Sequence, residues 1–315
     1  MPELEEVERI EIVVLDDNFL DPLLPSWEEG RPEVLRPPLV REGGIPKSFL
    51  LADGGFSLLI RIFGGGEAHS FLFDAGWSED VVLRNAAWLG VDLREIEAVI
   101  LSHGHMDHFG GLKELARALG GFKLFAHPDA FRKRWIDLPE GRAMLPQLRR
   151  EELEESGVRI EEVEGPRLLA GGKLLVLGPV ERTTDFEGGL PGAYIEREGR
   201  LEPDLILDDQ GIAVNLKGRG LFVITGCAHS GVVNTILYAR KVTGVKEIYG
   251  VMGGFHLTGR GWKEAARRTI EELSKLNPQI VIPAHCTSWG AVKLFSESFG
   301  RSFILSSAGT AFRLP

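Results

Sequence analysis

The sequence predicts an α/β fold built as a four-layer αββα sandwich, and three observations predict it. Short apolar runs of strand character alternate with segments whose apolar residues recur at helical spacing. The alternation occurs in both halves of the chain, with no short solenoid repeat, as in a duplicated half-sandwich. The 315 residues, 43% of them hydrophobic, suffice for one large or two smaller packed units. The reading adopted is a single domain over 1–315 with a cap-like insertion at about 128–203.

The elements follow in order. Residues 9–15 read as a strand ending in the polar turn Asp16-Asp17-Asn18. Six prolines between positions 21 and 46 predict an extended loop. Residues 57–63 and 70–73 flank a glycine turn and predict a hairpin, closed by Asp74-Ala75-Gly76. Val82, Leu83, Ala86, Ala87 and Leu89 have helical spacing that stops at Gly90. Residues 98–101 are a short buried strand. A stripe of Leu112, Leu115, Ala116 and Leu119 ends at Gly120-Gly121, before a strand at 122–126.

Regularity weakens between His127 and Leu205. Arg132-Lys133-Arg134, Arg149-Arg150 and the acidic run after them suggest a charged, partly helical excursion that reads as a solvated, salt-bridged face, followed by a short-stranded part around 159–177. The sharper reading is a cap whose arginines hold substrate phosphate, because guanidinium matches phosphate oxygens bidentately. Alternation then resumes with a hairpin at 212–216 and 221–225, a helix at 232–239, a strand at 247–252 and an amphipathic helix at 263–276. A last apolar run, beginning at Gln279, leads into His285-Cys286.

Chemistry concentrates after the strand at 98–101. His103, His105, Asp107 and His108 put four metal donors into six residues, and crowding desolvated imidazoles beside a carboxylate is costly unless a cation offsets it. His103 and His105 point the same way on an extended exit, while Asp107 and His108 lie where a helix begins, so one loop could feed two adjacent metal positions. His229 and His285 also follow apolar runs, and His256 follows Gly253-Gly254. Strand ends of this kind converge in α/β folds. His69 and His127 carry no site reading. With only Cys227 and Cys286 there is no disulfide framework. Cys227 reads either as a small buried residue or as a ligand; a thiolate favours zinc or iron, whereas an all His/carboxylate set also admits manganese or magnesium.

A net charge of -10 argues against broad nucleic-acid binding. No apolar run is long enough for a membrane helix, and the start lacks the features of a signal peptide, so a cytoplasmic protein is expected.

The loop His103-Gly104-His105-Met106-Asp107-His108 resembles the HxHxDH signature of the metallo-β-lactamase fold superfamily. Leu15-Asp16-Asp17-Asn18, Phe73-Asp74-Ala75-Gly76, Asp208-Asp209-Gln210, Thr225-Gly226-Cys227-Ala228-His229 and Gly253-Gly254-Phe255-His256 are similar to one branch of it, the 7,8-dihydropterin-6-methyl-4-(β-D-ribofuranosyl)aminobenzene 5'-phosphate synthase-like proteins. The resemblance implies two divalent metal ions, zinc first, with manganese, iron or magnesium as alternatives. His103, His105 and a later histidine would hold one ion, and Asp107, His108 and His285 the other. Many members carry a bridging aspartate where this chain has Cys227; His229 is the expected later histidine, with Asp208 and Cys227 as rivals. The resemblance gives a catalytic role to Asp107 and to Asp74, the latter orienting the histidine loop, and substrate contacts to Asn18, Arg182 and Glu187; His256 reads as a metal ligand, a proton donor or a structural histidine, and the two glycines before it favour the pocket, so it is placed with the catalytic residues.

The activity it implies joins a dihydropterin-methyl diphosphate to a ribofuranosyl-aminobenzene phosphate with loss of diphosphate, on a small phosphorylated or pterin-like substrate. A dinuclear hydrolase of a phosphoester, lactone or amide is the alternative, and a metal-binding protein without turnover the second.

Overall fold

The computed structural model describes residues 3–27 and 32–315. Two large sheets face each other. The first has strands in the spatial order Arg159–Glu162, Lys123–Ala126, Ala98–Ile100, Glu67–Phe73, Ser57–Gly64, Arg9–Asp16, Ala311–Leu314 and Glu33–Leu35. The second runs Arg167–Leu169, Leu174–Val176, Ile212–Leu216, Gly220–Thr225, Ile248–Gly254 and Ile280–Ala284, with Glu6–Val7 beside Ile212–Leu216.

Period-two alternation decides which layer each strand residue joins. Ile10, Ile12, Val14, Leu58, Ile60 and Ile62 point between the sheets and meet Val214, Phe222, Ile224 and Ile282 there. Val13, Leu15 and Leu59, on the opposite face, pack on Val82 and Ala86 of the helix Val81–Leu89 and Leu112 and Leu115 of the helix Leu112–Leu119. The outer face of the second sheet mirrors this, with Leu221, Val223, Val251 and Val281 against the helices Val232–Thr243, Trp262–Leu276 and Trp289–Phe299. Sheets covered on both faces need apolar residues at nearly every position, which is why these strands read as continuous apolar runs. The result is the expected αββα order. Gly90 and Gly120 end their helices in the left-handed region, at φ 72° and 73°, as the glycine stops predicted.

Two differences from expectation have physical reasons. The proline-rich stretch is not wholly loop: Glu33–Leu35 pairs with Ala311–Leu314 at the edge of the first sheet, where strands of three residues are too short to show periodicity. Residues 28–31 of that stretch lie outside the described residues. The span 128–203 is not one continuous insertion, because Arg159–Glu162 and Leu174–Val176 are strands of the two large sheets. Only its two ends leave them, forming a separate four-stranded sheet in the order Arg200–Pro203, Ala193–Arg197, Arg134–Leu138, Gly141–Met144. Among the described residues no helix is long and apolar enough to cross a membrane.

Candidate metal centre

The loops after the strands Glu67–Phe73, Ala98–Ile100, Gly220–Thr225, Ile248–Gly254 and Ile280–Ala284 meet at one edge of the sandwich, bringing together Asp74, residues 103–108, His229, His256 and His285. Their backbones are strained. Among the described non-glycine residues, Asp74, Ala228, His256 and His285 all adopt positive φ, between 47° and 61°. Such conformations cost free energy and persist only where surroundings enforce them.

The enforcing contacts are visible. Asp17 accepts the His285 backbone N–H at 3.0 Å, and Asn18 Nδ2 donates to the His285 carbonyl at 2.7 Å, so the polar turn after the first long strand holds the His285 loop. Ser306 Oγ donates to the other Asp17 oxygen at 2.6 Å. Gly226 is required by close approach, since a Cβ there would stand 2.2 Å from Ser102 Oγ.

Two groups of donor atoms result. His103, His229 and Cys227 offer ligand atoms that all lie within 4.8 Å of one another, and His105 Nδ1 is 3.0 Å from His103 Nε2. Asp107, His108, Cys227 and His285 form the second group within the same 4.8 Å limit. Cys227 Sγ is common to both and stands 3.2 Å from His108 Nε2. Asp107 Oδ2 lies 3.2 Å from His285 Nε2 and 3.6 Å from His108 Nε2.

Outer contacts fix the tautomers. His108 Nδ1 meets Asp74 Oδ2 at 2.6 Å, and Ser102 donates to Asp74 through its backbone N–H at 2.7 Å and its Oγ at 2.8 Å. With the Ser102 hydroxyl proton committed to Asp74, its oxygen can only accept from His103 Nδ1, at 2.9 Å. Both rings therefore turn Nε2 inward.

Burial is the largest influence on these groups. It lowers His103 and His229 well below the ordinary imidazole value, and neighbouring rings lower them further. Burial also takes His105 down to about 3, with the Arg134 charge adding to it. For His108 the same burial is outweighed by the Asp107 and Asp74 carboxylates, which raise it to about 9. The donor set suits a cation on independent grounds: His105 Nε2, both ring nitrogens of His229 and Nδ1 of His285 are buried without hydrogen-bond partners. Unpaired buried nitrogens converging with a thiol and a carboxylate are what borderline divalent metals bind.

Other expected residues are placed differently. Both Asp208 oxygens are engaged, one by Arg134 and the other by the Gly104 N–H at 2.7 Å, and Asp208 joins neither donor group. Glu187 accepts the N–H groups of Val233 at 2.9 Å and Asn234 at 2.8 Å, capping the helix Val232–Thr243 rather than facing the rings. Arg182 donates to the Leu205 carbonyl. His256 lies beside His229, ring centroids 4.2 Å apart and planes tilted by 51°, in a third cluster with Cys227 and Cys286.

The arginines considered for phosphate have carboxylate partners instead. Arg132 pairs with Asp129, Arg149 with Glu152, and Arg150 with Glu154 and Glu162. Arg134 is 2% exposed and joins the separate sheet to Asp204 and Asp208, against the expectation of a solvated face. Neither its role nor that of Ser102 was signalled, although Ser102 precedes the first histidine. In the sequence Cys286 stands out only as the neighbour of His285.

Comparison with known proteins agrees with this geometry. The family model described as the Metallo-beta-lactamase superfamily matches residues 51–285. A Methanocaldococcus jannaschii protein named 7,8-dihydropterin-6-methyl-4-(beta-D-ribofuranosyl)-aminobenzene-5'-phosphate synthase is 32% identical over 262 residues, covering 81% of this chain and 88% of its own length. An uncharacterized protein of the same organism is 32% identical over 250 residues, covering 78% and 88%. The crystal structure of Tm1679, described as a metal-dependent hydrolase of the beta-lactamase superfamily, superposes with a TM-score of 0.72 at 28% identity, covering 97% of this chain and 98% of that one.

Proposed function

The chain belongs to the metallo-β-lactamase superfamily, within it to the dihydropterin–aminobenzene phosphate synthase-like branch, and on that premise we propose that it is a dinuclear metal-dependent transferase of pterin biosynthesis. The reaction would join a dihydropterin-methyl diphosphate to a ribofuranosyl-aminobenzene phosphate. The observation that carries the metal part is the pair of donor groups sharing Cys227 Sγ. His103, His105 and His229 would hold one ion, and Asp107, His108 and His285 the second, with Cys227 between them. Zinc suits the mixed imidazole, thiolate and carboxylate set.

Bound divalent cations would neutralise and orient the departing diphosphate. The remaining work falls to the chain. Asp74 and Ser102 hold the Nδ1 atoms of His108 and His103, so both rings present Nε2 to the inner face. Asp17 and Asn18 keep the His285 loop in register with Asp107. As the carbon–nitrogen bond forms and the carbon–oxygen bond to diphosphate breaks, the attacking amine must lose a proton; His256, whose Nδ1 has no hydrogen-bond partner, is the group assigned to take it.

The same constellation would serve a hydrolase, and one experiment separates the two. The metal-loaded protein is incubated with the dihydropterin-methyl diphosphate, with and without the aminobenzene acceptor. Diphosphate release that depends on the acceptor is expected, whereas release at the same rate without it favours hydrolysis.

A further inference from the structure

Beside the second donor group lies a cavity of 330 Å³, lined in part by Asn18, Phe19, His285, Cys286 and Trp289. Its chemistry is unlike that of a phosphate site. No lysine or arginine lines it, and its only acid, Asp17, is committed to the His285 and Asn18 N–H groups and the Ser306 hydroxyl. Among the described residues it therefore presents no lysine or arginine to an anionic ligand. At its rim Trp289 is 70% exposed, a large indole face left in water at the start of the helix Trp289–Phe299. Phe19 stands among the same lining residues, half-buried. Asn18 is exposed, and its Nδ2 is spent on the His285 carbonyl, so what it offers a ligand is its amide oxygen, an acceptor.

We propose that this cavity binds an uncharged planar heteroaromatic ring, stacked on Trp289 and donating an N–H or amino hydrogen towards Asn18. The proposal rests on the transferase reading for the ring's identity, the 2-amino-4-oxo pterin half of the donor substrate. Two arguments favour that half over the aminobenzene. The acceptor carries a phosphate on its ribose, which would bring charge towards a lining without a cation. The pterin has only a methylene between its ring and the diphosphate, and His285 belongs to both the cavity wall and the second donor group, so one short link spans the two places. Stacking explains the exposed indole. An aromatic face beside a pocket binds any flat π-system, and its truncation weakens such binding roughly ten- to a hundredfold.

The test uses 6-hydroxymethylpterin, which has no phosphate, and inorganic diphosphate, which has no ring, each titrated calorimetrically into metal-loaded protein. Trp289→Ala should raise the Kd for the pterin roughly ten- to a hundredfold and leave that for diphosphate unchanged. Trp289→Phe should restore most of the pterin affinity; Trp289→Leu, apolar but not planar, should not. Pterin binding that ignores Trp289→Ala, or that Trp289→Leu preserves, overturns the proposal. Because Trp289 is 70% exposed, these variants should fold normally. The two readings fail separately. Trp289-dependent pterin binding with acceptor-independent diphosphate release keeps the ring pocket and removes the transferase. Acceptor-dependent turnover in Trp289→Ala with an unchanged KM for the pterin substrate does the reverse.

Discussion

Asp74 and His108 meet at 2.6 Å between Oδ2 and Nδ1, and neither side chain has any exposure to water. Their contact links two strand ends of the first sheet, and Ser102 extends it to His103. Carboxylate partners of this kind set the ligand tautomer and typically account for 10- to 100-fold in metal affinity. Asp74→Asn should keep the fold, because an amide has the same shape, but it should weaken zinc binding by about that range. Competition with a chromophoric chelator measures it. Unchanged affinity would remove Asp74 from any role in orienting the ligand.

Cys227 and Cys286 are close together, yet only Cys227 belongs to both groups that include histidines of the 103–108 loop or His285. A thiolate ligand to cobalt gives an intense near-ultraviolet charge-transfer band. That band should vanish in Cys227→Ala and survive in Cys286→Ala, and metal content in Cys227→Ala should fall below that of the wild type. A band that persists without Cys227 would show that its sulfur is not a ligand.

Asp16 presents a different kind of buried acid. Both its oxygens are buried with no donor facing them, and a Cβ at Gly76 would stand 2.5 Å from its Oδ2. Burial, followed by the neighbouring Asp53 carboxylate, raises Asp16 to about 9, so the two acids share a proton carried on Asp16. The folded value lies above the unfolded one. Its contribution to stability is therefore complete below the ordinary carboxylate range and lost as pH rises through about 9. Asp53 is displaced downward, so its own contribution is lost only on acidification. In Asp16→Asn the amide supplies the missing donor permanently. Urea midpoints for the wild type should decline relative to Asp16→Asn as pH increases towards 9; parallel curves would contradict the shared proton.

What the sequence disclosed and what it hid divide along the distance over which the signal acts. His103, His105, Asp107 and His108 are legible because four donors crowd a single strand exit, and His229 and His285 because each follows an apolar run ending in a loop. Convergence of those ends follows from the α/β layering itself. Arg134 was illegible for the opposite reason. It sits in the run Arg132-Lys133-Arg134, which locally resembles a surface, and its partners Asp204 and Asp208 lie 70 and 74 residues away. The motif at Asp208 and the one at Glu187 were visible as motifs, but a motif does not say which way a carboxylate faces. Asp208 turned out to meet Arg134, and Glu187 a helix end. The strand Glu33–Leu35 was hidden by the prolines around it.

Arg134 carries the last prediction. Its guanidinium donates to Asp204 at 2.7 Å, to Asp208 and to the Gly104 carbonyl at 3.2 Å, while Asp208 in turn accepts the Gly104 N–H. The separate sheet is thereby tied to the backbone between His103 and His105. Removing the cation alone leaves two buried carboxylates uncompensated, a loss that typically costs about 3–5 kcal/mol. Arg134→Met should therefore lower the urea midpoint strongly and weaken metal binding by releasing Gly104. Arg134→Lys restores the charge but not the fork that reaches both acids, so it should recover only part of the loss. The double variant Arg134→Met/Asp208→Asn should be more stable than Arg134→Met alone, because one unpaired charge is gone, and a double-mutant cycle reads that coupling directly. If Arg134→Met unfolds at the wild-type midpoint, the buried pairing does not hold the histidine loop.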